Sequence, residues 1–179
     1  LDKKIIELSK RIFLKLASAE AKIHLSKENA LWHELGSVDS IVDVVGTAVC
    51  FSELSPEKIY CSKLNLGSGL VQTSHGLLPV PAPATAELIK GIPCYSSGIG
   101  AELVTPTGAA IISSITHAFQ EMPLMKVEAI GYGAGTRVLT QPNVLRIFSG
   151  ELVEETAQDN VAVIEASIDD LNPQLYEYV

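Results

Sequence analysis

Apolar residues recur at helical spacing from the first residue of the chain, with lysine and glutamate between them. This pattern predicts an amphipathic helix over residues 1–23 that buries one stripe of side chains. The expected stripe consists of Leu1, Ile5, Leu8, Ile12, Leu16, Ala19 and Ile23.

A second helix is predicted to begin after Gly36. Ser37 is a good N-cap residue, and Asp39 would lie in the first turn, where the helix dipole favours a negative charge. The many β-branched residues that follow Ser37 lower the helix propensity of this segment, so a strand is the alternative. The expected buried stripe consists of Val38, Ile41, Val42, Val45 and Val49.

The remaining pattern mixes short strands and helices. Strands are predicted over 58–66, 69–73, 125–130, 143–148 and 160–166. Pro83 is suited to the first position of a short helix that ends at Gly91. A further helix is predicted over 106–119, with Ala109, Ile112, Ile115 and Phe119 facing inward. Because no regular βαβ order appears, the predicted fold class is α+β, with mixed short strands and about three main helices.

Composition narrows the class of protein. The 179 residues are 47% apolar, which allows a sizeable aliphatic core in one domain, or in one domain and part of a second. The net charge of −8 argues against binding to nucleic acid, which needs clustered basic residues. No apolar run is long enough to cross a membrane, and the three cysteines form no paired motif, so we expect a cytoplasmic protein. The chain begins on Leu1 and stops within a new element, which suggests a fragment of a larger two-domain protein.

The densest group of polar residues lies around the start of the second helix. Asp39 and Asp43 are four residues apart and therefore share one helix face, while His33 and Glu34 come just before it. Imidazole and carboxylate ligands together suit nickel, zinc or another divalent metal of the first transition row. The alternative is a solvated acidic helix start with Asp39 in a capping role.

Two further segments are candidates for chemistry. His75 lies in a predicted turn before a proline-rich stretch, where it is either a metal ligand or base or an ordinary loop residue. Thr105 and Pro106 are typical of a helix start, which would direct the amides of Thr107 and Gly108 at an anion. The alternative is that Thr105 binds those amides itself.

The glycine-rich segment 131–135 does not support a dinucleotide site, because no helix is predicted to follow it. We predict a loop there. Asp169 and Asp170 end the last predicted strand in an acidic turn, which either holds a cation or forms an Asx-type turn.

Taken together and in order, these segments resemble the LarC family of nickel-insertion proteins. The matching stretches are 32–46, His75 and Gly76 with 79–85, Glu102 through Ala109, 131–135 and 143–146. Asp169 and Asp170 resemble the entry of the family's second domain. The resemblance therefore implies a first domain over 1–158 that lacks its initial segment, and the truncated start of a nucleotide-binding domain over 159–179.

The resemblance implies insertion of nickel into pyridinium-3,5-bisthiocarboxylic acid mononucleotide, which forms the nickel-pincer cofactor of lactate racemase-type enzymes. This lyase-class metal insertion depends on CTP with manganese or magnesium, and nucleotide binding is attributed to the C-terminal domain. We expect this fragment to be inactive alone, and a homo-oligomer is compatible with the sequence. Candidate metal ligands or acid–base groups are His33, Glu34, Asp39, Asp43 and His75, and candidate residues of the substrate pocket are Glu102, Thr105, Thr107 and Gly108.

Two other functions compete with nickel insertion. One is a nickel carrier that makes no bond, and the other is a metal-dependent phosphohydrolase that uses the same acids. The chain also departs from the family pattern, because the N-terminal segment with its Gly and Asp residues is absent. Leu31 occupies a position where a histidine is often found.

Overall fold

A computed structural model describes residues 2–24, 37–73, 76–139 and 141–153. Four helices occur in these ranges, and we number them α1 Lys3–His24, α2 Val38–Leu54, α3 Pro83–Leu88 and α4 Pro106–Ile115. The strands are β1 Tyr60–Cys61, β2 Leu64–Asn65, β3 Leu70–Thr73, β4 Gly76–Pro79, β5 Cys94–Tyr95, β6 Ala118–Phe119, β7 Met125–Ala134 and β8 Val144–Leu152. This combination confirms the predicted α+β class.

The chain divides into two compact units, Leu1–Pro123 and Leu124–Val179. The first unit carries the four helices with β1 to β6, and the second carries β7 and β8. The predicted boundary between residues 158 and 159 lies outside the described residues, so the division at that point stays a prediction.

Helix α1 is the central element of the first unit and packs against α2, α3 and α4. Its predicted stripe is confirmed for the interior of the helix, because Ile12, Leu16 and Ala19 are 0%, 4% and 3% exposed. These residues follow the three- and four-residue spacing that places side chains on one helix face. They form one buried cluster with Val44, Leu88, Ala109 and Ala110.

Helix α2 begins where the sequence predicts, but it buries a different face. The Ser37 side chain accepts a hydrogen bond from the Ser40 amide at 3.2 Å and so caps the helix. The buried residues of α2 are Ser40, Val44 and Ala48, whereas Val38 and Val42 are 73% and 62% exposed. The predicted valine stripe is therefore wrong for most of its members. Small residues on the buried face allow the neighbouring helices to approach closely. Because apolar residues also occupy the other sides of α2, the sequence pattern does not identify the buried face.

Helix α4 is shorter than predicted. It ends at Ile115, and Phe119 lies in β6 rather than at the end of the helix. Strand β6 pairs in parallel with β1, and the His117 amide donates a 2.7 Å hydrogen bond to the Ile59 carbonyl oxygen. This long-range pairing ends the helix where periodicity alone would continue it. The inward-facing position of Ala109 is confirmed, since it is 0% exposed.

Each sheet of the described residues has two strands. The pairs β1–β6 and β2–β5 are parallel, whereas β3–β4 and β7–β8 are antiparallel. The single strand predicted over 58–66 is thus divided into β1 and β2, which pair with different partners. The predicted loop over 131–135 is wrong for 131–134, which continue β7. The strand predicted over 160–166 lies outside the described residues.

None of the helices in the described ranges is long and apolar enough to cross a membrane.

Candidate functional site

The two carboxylates of α2 are exposed on the helix that the sequence predicted. Asp39 lies in the first turn and Asp43 one turn later, so both project from the same face. This face is distinct from the one that packs Ser40, Val44 and Ala48 into the core. Asp39 and Asp43 are therefore accessible to a cation from solvent. His33 and Glu34, the other candidate ligands of this group, lie outside the described residues.

Glu102 is held by a backbone bridge to Gly67. On either side of this bridge, the Ser68 amide donates to the Ala101 carbonyl oxygen at 3.2 Å and the Leu103 amide donates to the Leu66 carbonyl oxygen at 3.2 Å. Gly67 has a φ of +76°, which glycine adopts without steric cost. The turn at Gly67 thus fixes the backbone on which Glu102 stands.

The hairpin β3–β4 is tied to the same turn. The Val80 amide donates to the Gly69 carbonyl oxygen at 3.0 Å, directly after β4 ends. A cis peptide bond between Val80 and Pro81 follows, and Ala82 is buried. The structure thereby brings the proline-rich stretch next to the Gly67–Glu102 bridge. His75, the candidate ligand between β3 and β4, lies outside the described residues.

Thr85 also anchors the segment that contains Glu102. It is 0% exposed on α3, and its hydroxyl donates to the Val104 carbonyl oxygen at 3.4 Å. Residues 102–105 are therefore held between Gly67 and Thr85. Thr85 lies in one of the stretches that resemble the LarC family, but the sequence alone indicates no role for Thr85 or Gly67. The available signals were a threonine in the short helix that begins at Pro83 and a glycine pair around Ser68.

The start of α4 forms the predicted cap. The Thr105 hydroxyl oxygen accepts a hydrogen bond from the Gly108 amide at 3.2 Å, and Thr105 has an extended backbone typical of an N-cap. The Gly108 amide consequently has a partner within the helix start, which is the alternative that the sequence left open. A role of Glu102, Thr105, Thr107 and Gly108 in binding substrate stays a prediction.

The two candidate segments share one core. Val44 follows Asp43 directly, Ala109 follows Gly108 directly, and both are 0% exposed in the same buried cluster. Helices α2 and α4 also pack against each other. Within the described ranges, no group of three or more histidine, cysteine, aspartate or glutamate residues could hold a metal ion. Asp39 and Asp43 can therefore supply part of a ligand set, and candidates from the other ranges would have to complete it.

Cys61 and Cys94 are poor candidates for ligands or nucleophiles. Burial raises the pKa of the Cys61 and Cys94 thiols, which disfavours the thiolate that binds metals and attacks electrophiles. The Cys94 thiol also donates to the Ile92 carbonyl oxygen at 3.2 Å. Carboxylate and imidazole groups remain the better candidates for metal binding.

The whole length of the chain matches a protein family model. The family model described as "Nickel insertion protein" matches residues 1–179. The chain belongs to the nickel insertion protein family. The resemblance to the LarC family is thereby confirmed.

Individual members of the family are close to this chain. A protein of Desulfitobacterium hafniense strain DCB-2, named pyridinium-3,5-bisthiocarboxylic acid mononucleotide nickel insertion protein, is 46% identical over 180 residues. That match covers 97% of this chain and 45% of the relative. A protein of Dictyoglomus thermophilum, also named for nickel insertion, is 50% identical over 172 residues, which cover 96% of this chain and 45% of the relative. The chain thus spans slightly under half the length of these relatives. No solved structure matches the chain.

Proposed function

We propose that this chain is the part of a nickel insertion protein that presents nickel to pyridinium-3,5-bisthiocarboxylic acid mononucleotide. The observation that carries the proposal is the match of the nickel insertion family model to residues 1–179. The relative from Desulfitobacterium hafniense, whose name specifies this mononucleotide, supports the same substrate.

Nickel is a substrate in this reaction. A pyridinium C–H bond is broken, its proton passes to a base, and the ring carbon and two sulfurs bind the nickel ion. The reaction therefore needs a site that holds Ni²⁺ and later releases it, together with a proton acceptor and donors for the phosphate. Carboxylate and imidazole ligands suit a divalent cation of this kind.

Asp39 and Asp43 are proposed to hold the cation on the exposed face of α2. Two carboxylates on one helix face repel each other, and a shared cation would relieve that repulsion. His33, Glu34 and His75 are proposed to complete the ligand set or to accept the proton. Glu102, Thr105, Thr107 and Gly108 are proposed to line the substrate pocket, and the shared core of α2 and α4 supports a common location for the two groups.

The remaining parts of the proposal concern the longer protein. The reaction belongs to the lyase class and depends on CTP with manganese or magnesium, which the C-terminal domain would bind. Residues 159–179 would begin that domain, and residues 1–179 alone would be inactive. We place the protein in the cytoplasm, where the cofactor would serve lactate racemase-type enzymes.

The test uses the full-length protein that contains this chain, supplied with Ni²⁺, the mononucleotide, CTP and Mn²⁺. Formation of the nickel–carbon product is followed by mass spectrometry. Asp39→Asn and Asp43→Asn are each expected to lower the initial rate by about tenfold or more, because an amide neither accepts a proton nor neutralises the cation. Glu53→Gln is the matched control, since Glu53 is an exposed acid on the same helix.

Other outcomes identify the competing functions. Nickel binding without product, and without any effect of CTP, would mean that the protein is a carrier. Hydrolysis of simple phosphate esters that Asp39→Asn abolishes would favour a phosphohydrolase. Equal rates for Asp39→Asn, Asp43→Asn and Glu53→Gln would remove the two aspartates from the site.

A further inference from the structure

A cavity of about 310 Å³ lies between α1, α3 and the end of α4, within the first unit. It carries three lysine side chains, Lys15, Lys22 and Lys90, and one carboxylate, Glu87. The protein as a whole has a net charge of −8, so a group of three lysines contrasts with the acidic charge of the whole chain. None of these four residues belongs to the nickel site proposed above.

Glu87 is fully engaged by two of the lysines. The Lys22 ammonium contacts one carboxylate oxygen at 2.7 Å, and the Lys90 ammonium contacts the other. The hydrogen bond from Lys22, followed by that from Lys90, lowers the pKa of Glu87, so the group is a carboxylate at neutral pH. One negative charge thus faces two positive charges, and Lys22 and Lys90 still expose 64% and 73% of their side chains. Both ammonium groups keep donors available for a second anion.

Lys15 is half-buried and adds a third ammonium group to the cavity wall. Its ammonium donates to the Ser113 carbonyl oxygen at 2.8 Å, near the end of α4. Burial, and then the nearby Arg11 guanidinium, lower the pKa of Lys15, because both disfavour its charged form. An anion in the cavity would favour that form. The three ammonium groups repel positive charge, so the cavity is unsuited to a metal cation.

The rest of the wall is apolar. Leu88, Ile92 and Phe119 line the cavity together with the lysines. Small-molecule sites combine an apolar lining with a few charged groups, and a volume near 300 Å³ is at the lower end of their range. Such a volume exceeds the needs of a lone inorganic ion.

We propose that this cavity binds a small organic phosphate, with the phosphate at Lys15, Lys22 and Lys90 and the ring against Leu88, Ile92 and Phe119. Ammonium groups are common phosphate ligands because they act as compact point charges. The proposal does not depend on the nickel chemistry above, since it concerns other residues and requires no metal. A phosphate ester that carries a ring is the class of ligand that fits both the charge and the apolar wall.

The test uses pyridoxal 5′-phosphate, an aldehyde that carries a phosphate, as a probe on the full-length protein. A lysine amine condenses with the aldehyde carbon and releases water, borohydride then reduces the imine, and peptide mapping locates the label. Lys10 is an exposed lysine of the same helix as Lys15 and Lys22 and serves as an internal reference. The measured quantity is the concentration of a competitor that halves labelling of the cavity lysines at constant ionic strength.

Inorganic phosphate is expected to protect the cavity lysines and not Lys10, and cytidine monophosphate is expected to protect them at a lower concentration. Glu87→Gln should lower the half-protecting phosphate concentration by about threefold, because it removes the competing carboxylate. Lys22→Gln should raise that concentration at the remaining lysines by a similar factor, and Lys10→Gln should leave it unchanged.

Each contrary result overturns a defined part of the proposal. Equal labelling of Lys10 and the cavity lysines without protection by phosphate would mean that Lys22, Glu87 and Lys90 form only an ion-pair network between α1 and α3. An unchanged half-protecting concentration in Glu87→Gln would mean that phosphate does not bind beside Glu87, which overturns its placement at Lys22 and Lys90. Protection by cytidine monophosphate no stronger than by phosphate would remove the apolar wall from the binding site.

Discussion

Gly67 faces the carbonyl oxygen of Ala101 so closely that a Cβ atom on the glycine would lie 1.8 Å from that oxygen. This contact lies beside the backbone bridge between Gly67 and Glu102. The Gly67 carbonyl oxygen also accepts a hydrogen bond from the Ser96 hydroxyl at 2.6 Å. Any side chain at position 67 must therefore push the segment 101–103 away. The position of Glu102 consequently depends on a glycine far from it in sequence.

The first prediction compares two glycines that have the same backbone conformation. Gly67 and Gly98 have φ values of +76° and +77°, but a Cβ atom on Gly98 would meet nothing within 4 Å. Gly67→Ala should therefore lower the free energy of unfolding by about 2 kcal/mol more than Gly98→Ala, because only the former is overpacked. Urea denaturation of both variants measures the difference. Equal losses would mean that the left-handed conformation alone accounts for the effect.

The second prediction concerns which face of α2 is packed. Val44 is 0% exposed and Val42 is 62% exposed, although both are valines on the same helix. Val44→Ala should lower the free energy of unfolding by about 2 kcal/mol because it leaves a cavity in the core. Val42→Ala should change it by less than about 0.5 kcal/mol. Thermal or urea unfolding of the full-length variants gives both values, and a large loss at Val42 would show that another segment covers the valine face.

Helix α2 also shows what the sequence could and could not predict. Its start at Ser37 follows from local chemistry, since a hydroxyl that caps an amide needs only the next few residues. Its buried face depends on which helices approach it, and apolar residues occupy several of its sides. The pattern therefore favoured Val38, Val42 and Val49, whereas the residues buried on α2, which packs against α1 and α4, are Ser40, Val44 and Ala48.

The candidate site also has some features that the local sequence predicts and others that depend on long-range contacts. The cap of α4 at Thr105 was predictable because the Thr-Pro pair acts locally. The restraints on Glu102 were not, because Gly67 and Thr85 reach the segment 102–105 through contacts between distant parts of the chain. The predicted end of α4 was wrong for the same reason, since the pairing of β6 with β1 overrides helical periodicity around Phe119.

The third prediction separates the capping role of Thr105 from a role in substrate binding. Thr105→Ala removes the hydrogen bond to the Gly108 amide and should lower the free energy of unfolding by about 1 kcal/mol. Thr105→Ser keeps the hydroxyl and should retain most of that stability. Unfolding measurements on both variants test the cap. If product formation falls in Thr105→Ser while stability is retained, the threonine methyl group contacts the substrate.

The fourth prediction concerns the second unit, where β7 pairs with β8. A Cβ atom on Gly150 would lie 1.9 Å from the Lys126 carbonyl oxygen, beside the register shift between Val127 and Ala129, whereas one on Gly133 would meet nothing within 4 Å. Gly150→Ala should therefore break the local pairing. Gly133→Ala should be neutral or stabilising, because glycine weakens a strand interior. Hydrogen exchange of the β7 amides measures both effects, and equal protection in the two variants would contradict the close approach at Gly150.

The last prediction follows from the charge state of Glu87. Hydrogen bonds from Lys22 and Lys90 hold its pKa below the ordinary value of 4.5, so the folded state binds the proton more weakly than the unfolded state does. For a lowered pKa, the stabilisation is fully present above pH 4.5 and is lost as the pH falls through the lowered pKa of the folded protein. Glu87→Gln should therefore have a lower Tm than the parent protein at pH 7, and the difference should shrink on acidification below that range. Glu53→Gln, an exposed acid for which no ion pair is described, is the control and should show no such dependence. A Tm difference for Glu87→Gln that persists unchanged through the acid range would mean that the ion pairs with Lys22 and Lys90 do not stabilise the folded protein.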